Sequence, residues 1–449
     1  MGKIRFFAAG AAYKILSKIF KALGRPNALP GQIALKICPD LLGRVKMPET
    51  VIAVTGNNGR SDTAEIISEI LRAANKTFVW NPGSFGTIED VVSSVLGGCT
   101  LKGSIKSGIL LFQCSAKAAN QAFKYIIPTE CVITGITRDR LEEGGDPDWI
   151  AGVLEKSLPA ETKLFLNCDD PLALKLGQGR ENVTYISVGK IPGDTDRCAS
   201  VYNDGKYCPV CGGRLKYYYH HFNHIGKFYC GSCGFSSPEA GWTVTDADFA
   251  SGSIELNGST TLSVKPEGMT RIYNILGAVA VCNEADIEMP VIINAVEDWC
   301  SRESSLSKFD MGDKKGRIFT VMPGCPISYD QVLLEICRRN RKCGIIIVLD
   351  ALESRDNVND ASWLWDVNFE ELVKTDISGI ILTGKYCYDL QCRLMLWGID
   401  KEKIQPYISV DKGLAAAEEL DCGQIYIIAG RRDKEKILSS DRISQAGGQ

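Results

Sequence analysis

The sequence predicts an α/β protein whose sheets are mostly parallel and occur in two successive regions. From residue 51 onward short apolar runs alternate with helical patterns, and the runs are VIAVTG, GILLFQ, CVITGI, KLFLN and VTYISVG. This alternation is typical of βαβ units, because parallel strands need a crossover helix between them. A second series runs from RIFTVM to QIYIIAG, after helices predicted over Thr270 to Glu284 and through VIINAVEDWC.

Two changes in amino-acid composition divide the chain. Near residue 200 Tyr, His, Gly and Cys crowd together, which indicates a small module of about residues 205–238 inserted in the first region. A polar stretch rich in Gly and Ser near residue 305 predicts a boundary. We therefore predict a lead-in segment over 1–45, a central domain over 46–304 and a C-terminal domain over 305–449.

Bulk composition excludes several classes of protein. The 449 residues allow two or three domains with their own cores, and the net charge of -3 gives no bulk attraction to nucleic acid. No apolar run approaches the ~20 residues that a membrane span needs. The 18 cysteines are spread over a long chain, so we expect the reducing cytoplasm and mostly buried free thiols instead of a disulfide scaffold.

The N-terminal segment has the pattern of a basic amphipathic helix. Lysines interrupt it too often for a signal peptide. Such a helix either packs on its own domain, which is the favoured prediction, or lies on an anionic membrane surface as a peripheral contact. The apolar positions at roughly helical spacing are Ile4, Ala8, Ala11, Ile15, Ile19 and Leu23.

Two C-x-x-C pairs predict a zinc ribbon. They are Cys208 with Cys211 and Cys230 with Cys233, and 18 residues separate the pairs. Four thiolates would complete the tetrahedral shell of Zn2+ without an open position, so the predicted site is structural. Two redox pairs are the alternative interpretation.

The histidines restrict the chemistry available to the chain. His220, His221 and His224 are the only ones, and beside four cysteines we expect them to be surface or supporting groups and not ligands. A Cys–His or Ser–His pair elsewhere then has no histidine to use. Any nucleophilic catalysis of that kind would need a histidine from a partner.

The stretch TGNNGRS predicts a phosphate-binding turn between a strand and a helix. Gly56 and Gly59 would let backbone N–H groups approach phosphate oxygens, and the helix that starts near Ser61 would direct its positive end there. The pattern G-x-x-x-x-G-K-[ST] is not met, because Val54 and Arg60 occupy its first glycine and its lysine. An ordinary strand-to-helix turn is therefore the alternative.

Neighbouring motifs carry a family resemblance. TGNNGRSD is similar to the TGTNGKTT element of the Mur ligases, ATP-dependent enzymes of peptidoglycan synthesis, and TRDRLEEGGD and LNCDDP resemble their FRDQLDRYGE and LNADDP. The four-cysteine ribbon, IYNILGAVAV and DASWLWDVNFEEL resemble elements of the MurT branch in particular. The resemblance follows most of the chain in order. It implies a Mur-ligase-type central domain with the ribbon inserted, followed by a Rossmann-like C-terminal α/β domain.

The resemblance also implies a function: the ligase subunit of lipid II isoglutaminyl synthase. ATP and Mg2+ would activate the α-carboxylate of the stem-peptide glutamate, and ammonia from a GatD-type glutaminase would amidate it at the inner face of the membrane. Asp360 is implied to complete the partner's catalytic triad, and the alternatives are a surface carboxylate or a helix N-cap. The implied nucleotide-binding residues are Gly56, Asn57, Asn58, Gly59, Arg60, Ser61, Asn167 and Asp169.

Three departures from the family pattern fall on the nucleotide site. Arg60 replaces the lysine with a wider planar group, and Gln113 stands where a glutamate should bind Mg2+. Asp62 replaces a threonine in the first helical turn, where a carboxylate competes with phosphate. We therefore expect weak or absent ATP chemistry. The alternative function is a catalytically degraded MurT paralogue that acts as a scaffold or regulator in cell-wall synthesis.

Overall fold

The computed structural model describes residues 2–22, 28–80, 82, 86–139, 145–249, 251–265, 268–339, 342–350, 360–373 and 375–445. These residues form two large sheets and a separate two-stranded ribbon, so the predicted α/β class is confirmed. Part of the TRDRLEEGGD motif, residues 140–144, lies outside the described residues.

Two helices precede the first sheet: α1 (Gly2–Ala22) and α2 (Ala28–Ile37), followed by a 3-10 turn over Leu41–Arg44. α1 packs against its own domain through Phe6, Ala9 and Tyr13, and the Tyr13 hydroxyl donates to the Ser93 carbonyl oxygen at 2.9 Å. No described helix is long and apolar enough to cross a membrane. The residues that α1 buries are not those of the apolar stripe that the sequence predicts would pack inward. Ile4, Ile15 and Ile19 of the predicted stripe are exposed instead, and its last member, Leu23, lies outside the described residues.

The first sheet has nine strands in the order β11-β10-β9-β6-β5-β4-β1-β3-β2. Strands β1 to β6 pair parallel with one another, and β9 pairs parallel with β6. On its other side β9 pairs antiparallel with β10, which in turn pairs antiparallel with β11. The strands are β1 (Thr50–Thr55), β2 (Phe78–Val79), β3 (Ile109–Gln113), β4 (Glu130–Ile133), β5 (Lys163–Asn167), β6 (Val183–Val188), β9 (Trp242–Asp248), β10 (Ser253–Leu256) and β11 (Thr260–Leu262).

Helices cover both faces of this sheet, which explains why β1 and β3 read as continuous apolar runs. The most deeply enclosed is α8, in which Ile272, Leu276 and Val279 have no exposed surface. The helices are α3 (Arg60–Ala73), α4 (Ile88–Gly98), α5 (Ala116–Ala122), α6 (Pro147–Ser157), α7 (Pro171–Lys175), α8 (Met269–Glu284) and α9 (Met289–Leu306).

The chain leaves the first sheet after β6, forms the inserted ribbon, and returns to the sheet in β9. It consists of β7 (Leu215–Phe222) and β8 (Ile225–Cys230), which pair antiparallel around a turn at Asn223. Because β6 and β9 are direct neighbours in the sheet, the insertion does not interrupt the core of the domain.

The second sheet has seven strands in the order β16-β15-β14-β17-β13-β12-β18. Its strands are β12 (Lys308–Met311), β13 (Lys314–Val321), β14 (Cys343–Val348), β15 (Ile377–Thr383), β16 (Ile404–Tyr407), β17 (Gln424–Gly430) and β18 (Ser444–Gln445). Its helices are α10 (Pro326–Arg338), α11 (Glu370–Val373), α12 (Cys387–Leu396), α13 (Val410–Glu418) and α14 (Arg431–Leu438), with 3-10 turns over Ser362–Trp365 and Lys401–Lys403.

The polar stretch near residue 305 is not a loose linker. α9 continues to Leu306, and the hairpin of β12 and β13 begins at Lys308 and turns at Gly312 with a φ of 59°. Its polar residues belong to a helix end and to a hairpin near the sheet edge, both of which tolerate charged side chains. The predicted domain limits of 46–304 and 305–449 stay a prediction.

Candidate nucleotide site and cysteine cluster

The TGNNGRS turn joins β1 to α3 at the carboxyl edge of the first sheet. β1 lies between β3 and β4, so the chain proceeds in opposite directions on its two sides, and ligands of α/β sheets bind at such a switch point. Gly56 and Gly59 have φ values of 117° and 84°. A Cβ at Gly56 would lie 2.6 Å from Thr134 Oγ1, and one at Gly59 would collide with the buried side chain of Asn274. Both positions therefore require glycine.

Asn57 shapes the turn from within. Its side-chain amide donates to the Thr137 carbonyl oxygen, and the Thr137 N–H donates to Asn57 Oδ1 at 2.9 Å. Its own N–H donates to the Gly135 carbonyl oxygen at 3.2 Å. The side chain predicted to bind nucleotide is thus occupied in holding the loop that follows β4.

The start of α3 can accept an anion. The helix begins at Arg60 after Gly59, and the N-cap position provides no side-chain cap hydrogen bond. Asn58 and Gly59 are half-buried at the tip of the turn. This arrangement of backbone N–H groups and helix dipole is one that phosphate oxygens fit.

Arg60 directs its guanidinium toward the end of β3. A Cβ at Gly86 would lie 3.0 Å from Arg60 Nη1. Burial raises the pKa of the neighbouring Cys114 to about 12, and the positive charge of Arg60 opposes that rise. The cation predicted to replace the loop lysine therefore lies beside the strand end that carries Gln113.

Ser61 and Gln113 lie together, as the sequence motifs imply. The Ser61 hydroxyl donates to Gln113 Oε1 at 3.2 Å, and Gln113 is almost fully buried. Mg2+ prefers carboxylates, and here the pair offers only a hydroxyl and an amide oxygen. Within the described ranges, the cysteine cluster is the only group of three or more His, Cys, Asp or Glu side chains placed to hold a metal. The residues at this position therefore do not fit Mg2+ well.

Asp62 is partly neutralised by a cation on α8. Its Oδ2 lies 3.9 Å from Arg271 Nη2, and the Arg271 guanidinium stacks 4.9 Å from the centre of the Trp299 ring. The expected competition of Asp62 with phosphate is weaker for that reason, because the same carboxylate faces a positive charge.

Asp169 follows β5 and is fully buried at the carboxyl edge of the first sheet. It has no exposed surface, and its carboxylate accepts from Ser187 Oγ at 2.9 Å, from the Val188 N–H at 2.7 Å and from the Tyr273 hydroxyl at 2.7 Å. Burial raises the pKa of Asp169, while the charge of His221 and these donors oppose the rise. Asn167 is also buried and accepts the Asp169 N–H at 2.9 Å. The hydrogen bonds of both residues stabilise the edge of the sheet. Their direct contact with a nucleotide stays a prediction.

The four predicted cysteines converge at the tip of the ribbon. Their sulfur atoms all lie within 4.8 Å of one another, and the Sγ atoms of Cys208 and Cys233 are 3.7 Å apart. Each C-x-x-C closes on a backbone turn, with Gly212 and Gly234 at φ values of 73° and 79°. Four sulfurs at this separation suit a tetrahedral ion such as Zn2+, for which sulfur lies about 2.3 Å from the metal.

The three histidines were expected to be surface or supporting groups, and because they are buried the surface alternative is wrong. His221 lies with Nδ1 2.8 Å from Asp194 Oδ1 and Nε2 3.1 Å from the Val188 carbonyl oxygen. Burial lowers the pKa of His224, but the carboxylates of Asp170 and Asp204 outweigh it and raise the pKa overall. His221 thus contacts the end of β6, and His224 lies with Nε2 3.5 Å from Asp170 Oδ1 at the start of α7. The three histidines are not part of the cysteine cluster.

Asp360 lies at the start of the DASWLWD segment. Its Oδ1 accepts from the Ser362 N–H at 2.8 Å and its Oδ2 from the Ser362 hydroxyl at 3.0 Å, which is the local turn that precedes the 3-10 helix. The side chain is half-buried, and each oxygen keeps a further lone pair. The N-cap-like geometry and a role toward a partner are thus compatible.

The buried side chain of Arg393, in α12, holds the backbone of the DASWLWD segment by hydrogen bonds. Its guanidinium donates to the carbonyl oxygens of Leu364, Trp365 and Val367 at 2.9 to 3.1 Å. The Trp365 side chain is 52% exposed although the backbone around it is held firmly. An exposed indole on a backbone held in this way suits recognition by another protein.

Arg138 joins this segment to the central domain, a contact that the motif comparison alone did not predict. Its Nη1 donates to Asp366 Oδ2 and its Nη2 to Asp204 Oδ1, both at 2.9 Å, and its guanidinium stacks 4.2 Å from the Tyr202 ring centre. The signal was present in the sequence as the second residue of TRDR.

Comparison with known proteins shows a similarity to MurT subunits over most of the chain. The model of the MurT ligase C-terminal domain matches residues 324–430. The MurT subunit of the glutamine-hydrolyzing lipid II isoglutaminyl synthase of Staphylococcus aureus (strain COL) is 26% identical over 387 residues, which are 85% of this chain and 86% of the relative. The corresponding subunit of Streptococcus pneumoniae is 26% identical over 425 residues, 92% of this chain and 91% of the relative.

Solved structures share the fold. A pseudomurein peptide ligase type C from Methanothermus fervidus superposes with a TM-score of 0.66 and 16% identity, over 89% of this chain and 79% of that one. MurF from Acinetobacter baumannii gives a TM-score of 0.58 and 13% identity, over 92% and 79%. The chain, with its phosphate-type turn, cysteine ribbon and DASW segment, is thus similar to the MurT subunits over most of its length and has the fold of the Mur ligases.

Proposed function

We propose that this chain is the ligase subunit of a glutamine-dependent lipid II isoglutaminyl synthase, paired with a GatD-type glutaminase. In this reaction the α-carboxylate of the stem-peptide glutamate is activated by ATP and then amidated by ammonia. The observation that carries the proposal is Asp360, held on a rigid segment while all three histidines of the chain are buried elsewhere. An imidazole for Asp360 to orient must then belong to another protein.

The nucleotide is assigned to the turn between β1 and α3. Backbone N–H groups at the tip of the turn, at Asn58 and Gly59, and the positive end of α3 would hold its phosphates, and Arg60 would supply a positive charge at the same edge. Ser61 and Gln113 occupy the position of a magnesium site but offer no carboxylate. We derive no step through Mg2+ for that reason.

Zn2+ is assigned to Cys208, Cys211, Cys230 and Cys233. Bound there, it would cross-link the two turns of the ribbon as a structural ion without an open coordination position. The substrate partner is assigned as lipid II or a related peptidoglycan precursor, which places the complex on the cytoplasmic side, at the inner face of the membrane.

A second function follows from Gln113. If the amide oxygen cannot replace the missing carboxylate, the chain is a catalytically degraded paralogue that binds the glutaminase or the lipid substrate as a scaffold or regulator. Titration calorimetry with ATP and Mg2+ separates the two functions. Micromolar affinity supports the ligase, and absence of binding at millimolar ATP supports the scaffold.

The decisive experiment is to purify the chain with its glutaminase and assay ammonia transfer to lipid II. We expect Asp360→Asn to abolish glutamine hydrolysis by the complex, because an amide does not orient an imidazole as a carboxylate does. Asp376→Asn, which changes an exposed carboxylate elsewhere in the same domain, is the matched control. Unchanged hydrolysis in the Asp360→Asn complex would contradict the role given to Asp360.

A further inference from the structure

Helix α1 has two apolar faces, and only one of them is covered. The inner face consists of Phe6, Ala9, Gly10 and Tyr13, which are buried against the domain. The outer stripe consists of Ile4, Phe7, Ile15 and Ile19, whose exposed fractions are 74%, 54%, 61% and 48%.

The outer stripe is continuous along the helix. Ile4 and Ile15 are separated by eleven positions, which is about three turns at 3.6 residues per turn, so they lie directly in line. Phe7 and Ile19 follow these two at spacings of three and four, which keeps all four side chains on one side. Ala8 and Ala11 fill the space between them without adding a polar group.

The charges around the stripe all have one sign. Lys3, Lys14, Lys18 and Lys21 border it on one side and Arg5 on the other, and α1 contains neither Asp nor Glu. The whole chain has a net charge of -3, so this helix is a local concentration of positive charge on an acidic protein.

The loop that carries Leu101 and Lys102 adds an apolar side chain and a lysine beside the outer stripe of α1. Leu101 is 38% exposed, and its Cδ2 would lie 3.5 Å from a Cβ at Gly10 of α1. The next residue, Lys102, is exposed as well. An apolar side chain and a lysine therefore continue the patch beyond the helix itself.

We propose that the outer stripe of α1 binds the surface of an anionic phospholipid bilayer. The helix lies in the plane of the membrane surface, the isoleucine and phenylalanine side chains insert among the acyl chains, and the lysines reach the lipid phosphates. A second copy of the chain fits this surface less well, because pairing two such helices would bring their lysine borders together. The inference goes beyond the proposed ligation, since α1 packs on α2 and α4, whereas the nucleotide turn joins β1 to α3.

Co-sedimentation of the full chain with vesicles tests the proposal. We expect binding to vesicles containing phosphatidylglycerol and little binding to vesicles of phosphatidylcholine alone, with affinity falling as salt rises. Replacing Ile4, Phe7, Ile15 and Ile19 together by Ser should weaken binding at least about tenfold, since most of the inserted apolar surface is lost. Lys14→Gln and Lys18→Gln should each weaken it about fivefold.

Two controls keep the test decisive. The double variant Leu396→Ser and Ile408→Ser removes side chains that are 70% and 65% exposed but lie in the other sheet-based region, and it should bind vesicles as the parent does. The melting temperature of the four-residue variant should match the parent, because its changed side chains are exposed. Equal sedimentation of parent and variant, or equal binding to both lipids, overturns the proposal. A concentration-dependent dimer that the variant loses, without vesicle binding by the parent, also overturns it.

Discussion

Arg138 and Asp366 form an ion pair of 2.9 Å between the loop after β4 and the segment that carries Asp360. The residue before Arg138 is Thr137, which Asn57 of the nucleotide turn holds by two hydrogen bonds. The turn and the segment that carries Asp360 are thus connected through one short stretch of chain.

We predict that Arg138→Gln lowers the free energy of unfolding by about 2–3 kcal/mol, because it leaves Asp204 and Asp366 without their cation. Urea denaturation measures this change. Arg72→Gln is the control: its side chain is half exposed in a pair with Glu69, and its loss should cost less than about 0.5 kcal/mol. Equal effects of the two substitutions would show that the Arg138 junction does not hold the regions together.

A second prediction concerns Gln113. Gln113→Glu places a carboxylate beside the Ser61 hydroxyl, and it should raise the affinity for ATP in the presence of Mg2+ by about tenfold or more. In EDTA the same variant should bind ATP more weakly than the parent, because the new carboxylate then repels phosphate. Calorimetry with and without Mg2+ measures both effects. The same affinity in the two conditions would contradict the assignment of this position.

The cysteine cluster predicts one bound metal ion per chain, measurable by elemental analysis of the purified protein. Cys208→Ser and Cys230→Ser should each lose the ion, since three thiolates and a hydroxyl hold Zn2+ poorly. Removing the ion with a chelator should speed amide hydrogen exchange in β7 and β8 while leaving β1 protected. Cys392→Ser changes an exposed cysteine outside the cluster and should keep the ion. A full complement of metal in Cys208→Ser would refute the site.

Asp330 predicts a pH dependence of stability. Burial raises its pKa to about 7, although the Asn368 N–H donates to it at 2.7 Å. The unfolded chain releases this proton near pH 4 and the folded chain only near pH 7, so the free energy of unfolding should fall as pH rises between these values. Asp330→Asn should remove this part of the slope and stabilise the protein at pH 8 by on the order of 2 kcal/mol.

Chemical denaturation at pH 5 and pH 8 measures the Asp330 effect. Glu130, whose burial also raises its pKa to about 7, contributes a slope of the same sign that Glu130→Gln should remove separately. Asp376→Asn, an exposed carboxylate, is the control and should leave the slope unchanged. An unaltered slope in Asp330→Asn would mean that its carboxyl is ionised in the fold throughout this range.

Local patterns in the sequence were enough to predict most elements of the fold. VIAVTG is β1, GILLFQ contains β3 and QIYIIAG is β17, because a strand covered on both faces must be apolar throughout. The two C-x-x-C pairs predicted the cluster for a similar reason, since the turn geometry is encoded within each short motif.

Predictions failed where the partner of a residue is distant in the chain. The stripe of α1 was predicted to pack inward, yet Phe6 and Tyr13 fill the space over α2 and α4, and a periodicity of 3.6 does not say which of two apolar faces meets the core. His221 was expected near the surface, and its burial depends on Asp194 and Val188, which belong to other elements.

The sequence by itself determined the order of strands and helices along the chain, the cysteine ribbon, and the Ser61 and Gln113 pair that departs from a magnesium site. Tertiary structure alone decided that Asn57 clamps Thr137, that Arg138 reaches Asp366, and which face of α1 stays open. The physical reason is that local conformation follows from neighbouring residues, whereas these contacts join positions as far as 228 residues apart and exist only once the sheets have formed.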